Sequence, residues 1–180
     1  MKISNWKQLD MRTKYEIVLL GVITAILLAF LVNSFLFART AVRDDLRRED
    51  ITNLKRAAEL YNNKFGYYPT PPSKLTECTS SDPSSWLLGE NSPLVEDHFI
   101  NAIPHDVRES KGHVYSYCVT NIEDGRAMDY YFEAELEITE DEERAFDEDE
   151  SRKFDYRILH EDGKVLYRVC GGNEEQCKST

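Results

Sequence analysis

Hydrophobic and polar positions alternate along this chain in three regimes. The first is an unbroken apolar run, "IVLLGVITAILLAFLVNSFLFA" from Ile17 to Ala38, with no charge in 22 positions. At about 1.5 Å per residue such a run makes roughly 33 Å of helix, enough to cross a hydrocarbon core. A core helix of a soluble domain would show polar residues on one face. A signal peptide has an apolar region of only about 7–15 residues. The run therefore predicts a single transmembrane helix.

In the second regime the period becomes helical. Ile51, Leu54, Ala58, Tyr61 and Phe65 recur at +3, +4, +3, +4, one apolar stripe. No Gly or Pro separates this segment from the apolar run, which predicts one helix from about Tyr15 to Phe65, on the order of 75 Å long. Arg47, Arg48, Lys55 and Arg56 stand among Asp44, Asp45, Glu49 and Asp50, a pattern expected of a solvated opposite face with local ion pairs. Gly66 then suits the left-handed residue that closes a helix. Tyr67 and Tyr68 are expected to be extended, because the residue before Pro69 is pushed out of the α region. From Thr76 to Asn101 the chain reads as a loop anchored by Trp86 and Leu87.

The third regime has a period of two. "HVYSYCV" (113–119) and "DYYFEAELEI" (129–138) read as strands joined by "NIEDGRAM", with a turn at Asp124-Gly125. Tyr130, Phe132, Ala134, Leu136 and Ile138 fall on one face of the second strand, and Glu133, Glu135 and Glu137 on the other. "KFDYRILH" and "KVLYRVC" flank a further hairpin signal at Asp162-Gly163. A sheet with one apolar face needs a cover, and the helical stripe supplies it. The expected fold class is α+β: a long helix, transmembrane then amphipathic, packed on a small antiparallel four-stranded meander. The corresponding segments are a basic tail (1–14), the transmembrane helix (15–38), its amphipathic continuation (39–66) and a globular head (67–180).

Charge sets the expected orientation. Lys2, Lys7, Arg12 and Lys14 precede the span while Arg39, Arg43, Arg47 and Arg48 follow it, a tie by the positive-inside count. With four basic and two acidic residues removed from the chain's 22 and 33, the remainder holds 18 basic and 31 acidic residues, net −13. That acidic part also holds all four cysteines. The arrangement expected is a single-pass protein with its tail inside and its head outside a bacterial cytoplasmic membrane. Nucleic acid is not an expected partner, since binding it requires a basic footprint.

Cys78, Cys118, Cys170 and Cys177 form an even set without the C-x-x-C knuckles of a zinc site. Disulfides Cys78–Cys118 and Cys170–Cys177 are the preferred pairing in an oxidising compartment, four reduced thiols being the alternative. The acidic run "EDEERAFDEDE" (140–150) makes Asp147 and Asp149 calcium candidates, although Arg152 stands where an EF-hand has glycine. A solvated loop is the plainer reading. His98, His105, His113 and His160 show no metal-type pairing, and no phosphate loop, nucleophile elbow or H-E-x-x-H pattern is present. No enzymatic activity and no cofactor are expected, calcium aside.

Taken together, "DITNLKRAAELYNNKFGYYP", a later "IPHD" and "YSYC", and a following sheet resemble the type IV pilin-like family, and within it the major pseudopilins of type II secretion. The helix of that family leads to a G-x-Y-P exit, here Gly66, Tyr68 and Pro69, followed by an I-P-x-D and a Y-x-Y strand, here Pro104 with Asp106 and Tyr115 with Tyr117. The match runs from about Asp50 to Leu136. The resemblance implies a membrane-anchored structural protein whose partners are lipid and other pilin-like or secretion-system subunits met through the long helix. It also implies that calcium at the head is a family trait. At the N-terminus "MRTKYEIVLLG" departs from the family: it has no glycine at the processing junction, and Glu16 stands at the edge of the apolar run. A permanently anchored pilin-like head is thus expected in preference to a processed filament subunit. The alternative is a single-pass protein whose acidic outer domain binds a ligand or partner without forming a filament.

Overall fold

A computed structural model describes residues 11–82, 84–138, 156–161 and 163–172. The chain divides into two compact units, Met1–Thr40 and Ala41–Thr180. A single helix, α1 (Met11–Phe65), runs through both. In the first unit its large apolar side chains are all exposed, from Ile17 at 44% to Phe30 at 70%. Among the described residues it is the one helix long and apolar enough to cross a membrane. An exposed apolar surface of this kind is stable only in lipid or against other helices.

In the second unit α1 packs on an antiparallel sheet of β1 (Cys78–Ser80), β2 (Tyr115–Glu123), β3 (Arg126–Leu136), β4 (Tyr156–Glu161) and β5 (Lys164–Gly171). The α+β class is as expected, with five strands where four were anticipated. The strand order is β1-β2-β3-β5-β4, so the last hairpin is inserted with its second strand inward and the sheet is not a meander. The extra strand, β1, lies in the segment expected to be a loop; three residues of unremarkable composition gave no alternation to read.

The β2–β3 connection is also tighter than the eight-residue "NIEDGRAM" suggested. Pairing continues to Glu123↔Arg126, leaving Asp124 (φ 49°) and Gly125 (φ 72°) as a two-residue loop. Two successive positive φ angles define the type I′ turn, whose twist suits a hairpin. At the second hairpin Glu161 pairs with Lys164, and Gly163 has φ 75°; Asp162 lies outside the described residues.

The core forms between α1 and the facing side of the sheet. Ile51, Leu54, Ala57 and Ala58 meet Tyr115, Tyr117, Tyr130, Phe132, Val165 and Tyr167, with Leu87, Leu88 and Leu94 closing one side. The anchors of the 76–101 segment are thus Leu87 and Leu88, both fully buried, while Trp86 is only partly covered. A four-residue helix, α2 (Pro93–Glu96), begins at Ser92, whose Oγ accepts from the Leu94 amide at 3.2 Å. Phe65, expected on the buried stripe, is 37% exposed at the end of α1.

Candidate functional site

Six motif residues singled out in the sequence, Gly66, Tyr68, Pro69, Asp106, Tyr115 and Tyr117, fall at two joints between α1 and the sheet. The first is the helix exit. Gly66, with φ 80°, donates its amide to the Asn62 carbonyl at 2.7 Å and terminates α1. The chain then runs extended, and Tyr68 bridges to Ala127 of β3, its amide donating to the Ala127 carbonyl at 2.9 Å. Tyr117 donates its hydroxyl to the Pro69 carbonyl at 2.8 Å. The Tyr68 and Tyr130 hydroxyls converge on Glu59 at 3.2 and 3.3 Å. Burial, and then the Glu59 carboxylate, push the Tyr68 phenol up to about 12. The Tyr-Tyr-Pro exit therefore works as a fastening between helix and sheet.

The second joint is a buried ionic cluster that the sequence reading missed. Arg47, 1% exposed, donates to Asp44 at 2.6 Å, to Glu137 at 2.8 Å and, through two nitrogens, to Asp106. Glu137 also accepts from Arg43 at 2.6 Å and from Arg108 at 2.6 Å. Asp44 accepts in turn from the backbone amides of Glu137 and Ile138, both at 2.9 Å. Tyr115 donates to Asp50 at 2.6 Å. Three guanidiniums thus balance three carboxylates, and most of their hydrogen-bonding capacity is used inside the cluster.

Asp44 and Arg47 were expected on a solvated face, and Glu137 on the outer face of its strand. Instead Asp44 and Arg47 precede Ile51 on its own stripe by seven and four residues, so the helical period carries them inward. A stripe drawn through polar as well as apolar positions would have found them.

The electrostatics follow from this packing. Hydrogen bonding from Arg43 outweighs desolvation and, with Arg47, lowers the Glu137 carboxyl to about 2. Burial alone would raise Asp106, but Arg47 and the Arg108 amide hold it below the usual carboxylate range. Burial would likewise lower Arg47, and its carboxylate partners reverse that. Glu137, Asp106 and Arg47 are held in their ionised forms, an arrangement suited to clamping α1 against β3 and the 103–108 loop.

The remaining candidates are placed as follows. Cys78 and Cys118 form a disulfide across a register pair of β1 and β2. Cys170 is disulfide-bonded as well, and Cys177 lies outside the described residues. Asp147 and Asp149 also lie outside them. Pro104 is partly buried beside Asp50 and Asn53. Among the described residues no group of three or more His, Cys, Asp or Glu is placed to hold a metal. His105 faces Glu109 at 3.4 Å, and His113 buries its Nδ1 without a partner among the described residues. No protein-family model, curated protein or solved structure matches this chain.

Proposed function

We propose that this chain is a pilin-like, membrane-anchored structural protein, a component of a type II secretion or type IV pilus-related assembly. The observation that carries the reading is the division of labour along α1. One stretch of the helix is apolar and uncovered all round, and a later stretch packs on a disulfide-tied antiparallel sheet. The motif residues Gly66, Tyr68, Pro69, Asp106, Tyr115 and Tyr117 are the ones that fasten that later stretch to the sheet. In this reading the N-terminus is cytoplasmic and the head lies outside a bacterial cytoplasmic membrane, where both disulfides persist. The apolar stretch is the surface through which other long-helix subunits are met.

The test is a photo-reactive residue at Leu28 or Leu31 in the full chain, expressed in a bacterium that carries a secretion or pilus system. Adducts with a second long-helix subunit support the proposal. Adducts with lipid alone, from a chain extracted as a monomer, sink it. The competing reading is an anchored module that binds a ligand. It is favoured by the acidic excess after the apolar run, 31 acidic against 18 basic residues.

A further inference from the structure

On the face of α1 turned toward the β4–β5 hairpin, the second unit has an open groove of about 460 Å³. Arg48, Thr52, Asn53 and Arg56 form its helical wall, and Tyr156 and Tyr167 the opposite one. The two rings are tilted 39° to each other, with centroids 5.1 Å apart. In a chain of net charge −11, this groove brings two arginines onto one face of the helix. Arg48 lies over the Tyr167 ring at 5.9 Å, and its nearest carboxylate is that of the exposed Asp45, 3.9 Å away. Its Nε is buried without a hydrogen-bond partner among the described residues. Arg56 makes no ion pair among the described residues. By contrast Arg47, one residue from Arg48, makes four hydrogen bonds to three carboxylates.

A buried donor of a charged group left without a partner is costly. A carboxylate taking a guanidinium side-on accepts two parallel hydrogen bonds, the strongest neutralisation available to it. Glu49 also lines the groove, leaving one positive charge in excess among its described lining residues.

We propose that this groove is a binding site for an extended acidic peptide segment of a partner protein, which places one carboxylate on Arg48 and a second on Arg56. The spacing selects this class. Arg48 and Arg56 are eight residues apart on α1, about 12 Å along the axis. Two side chains four residues apart on one face of an extended strand are about 13 Å apart. Between the two arginines the Thr52 and Asn53 side chains face the peptide backbone, and the partly buried Tyr156 ring flanks its apolar positions. The site is on the head and does not depend on how the apolar stretch of α1 is used.

The test is fluorescence anisotropy on the full chain in detergent. The probe is a labelled pentapeptide with glutamate at its first and last positions and Ser or Ala between. Saturable binding is expected, weakened about tenfold or more by Arg48→Gln and by Arg56→Gln, and lost with the glutamine version of the peptide. Arg56→Glu is expected to restore binding of a peptide with lysine at the matching end. Because Arg56 is exposed, that exchange holds even if Arg48→Gln perturbs the fold. Absence of saturable binding up to millimolar peptide overturns the proposal. So does binding retained by the double glutamine variant, or displacement of the peptide by inorganic phosphate or anionic lipid vesicles at lower concentration than by unlabelled peptide.

Discussion

Arg47 decides most at the scale of single residues. It is fully buried and touches three carboxylates, so removing it leaves Asp44 and Asp106 as uncompensated interior charges. Arg47→Met is expected to cost roughly 3–5 kcal/mol in chemical denaturation of the full chain. Arg47→Lys should recover little, because an ammonium cannot present the fork that reaches Asp106 and Glu137 together. The same cluster sets the response to acid. Glu137 titrates near 4.5 when unperturbed and at about 2 in the fold, and Asp106 is also depressed. Stability from these groups is therefore fully present above about pH 4.5 and lost as pH falls toward about 2. Asp50 has the opposite sign: burial raises it despite the Tyr115 bond, so its contribution declines as pH rises. Thermal unfolding followed from pH 6 to pH 2.5 should show a falling midpoint, and Glu137→Gln should flatten that fall.

Among the secondary-structure elements, two features of the sheet carry predictions. Gly171 pairs with Tyr130 across β3 and β5, and a Cβ there would lie 2.2 Å from the buried Tyr130 ring. Gly171→Ala is expected to destabilise by about 1–3 kcal/mol, the usual cost of overpacking, measured by denaturant midpoint. The disulfide Cys78–Cys118 closes 40 residues, which the chain-entropy model values at about 4 kcal/mol. It joins a strand of three residues to β2, so β1 has little else to hold it in register. Cys78→Ser with Cys118→Ser should speed hydrogen exchange at the β1-facing amides Tyr117 and Val119 while leaving the β3–β5 amides protected. Uniform loss of protection would show instead that β1 is integral to the core.

The whole molecule poses the question of compartment. If the head lies outside the cytoplasmic membrane as proposed, intact mass of the membrane-extracted chain should show no thiol labelling before reduction and four labelled thiols after it. External protease should then remove the head from intact spheroplasts. Free thiols at the outset, or a protected head, would reverse the orientation and remove the basis for an extracytoplasmic assembly. Loss of an N-terminal leader in the same spectrum would favour a processed subunit over a permanent anchor.

Strictly local physics made several features legible in the residues alone. An uncharged run of 22 residues is long enough to cross a membrane as a helix, the form that satisfies its backbone in lipid. The Tyr130, Phe132, Ala134 and Leu136 alternation fixes which face of β3 is buried. Gly66 and the Asp124-Gly125 pair sit at positive φ, where β-branched and bulky side chains are strained. The Cys78–Cys118 pairing was one of three connectivities that four cysteines allow. Tertiary structure decided the rest. The inward place of β5 depends on which edge the hairpin finds, which no strand encodes by itself. Asp44, Arg47 and Glu137 were readable singly as surface charges, and Asp106 only as a motif position. They become an interior cluster only because helix, loop and strand bring three guanidiniums and three carboxylates together, so that each partner offsets the other's loss of water.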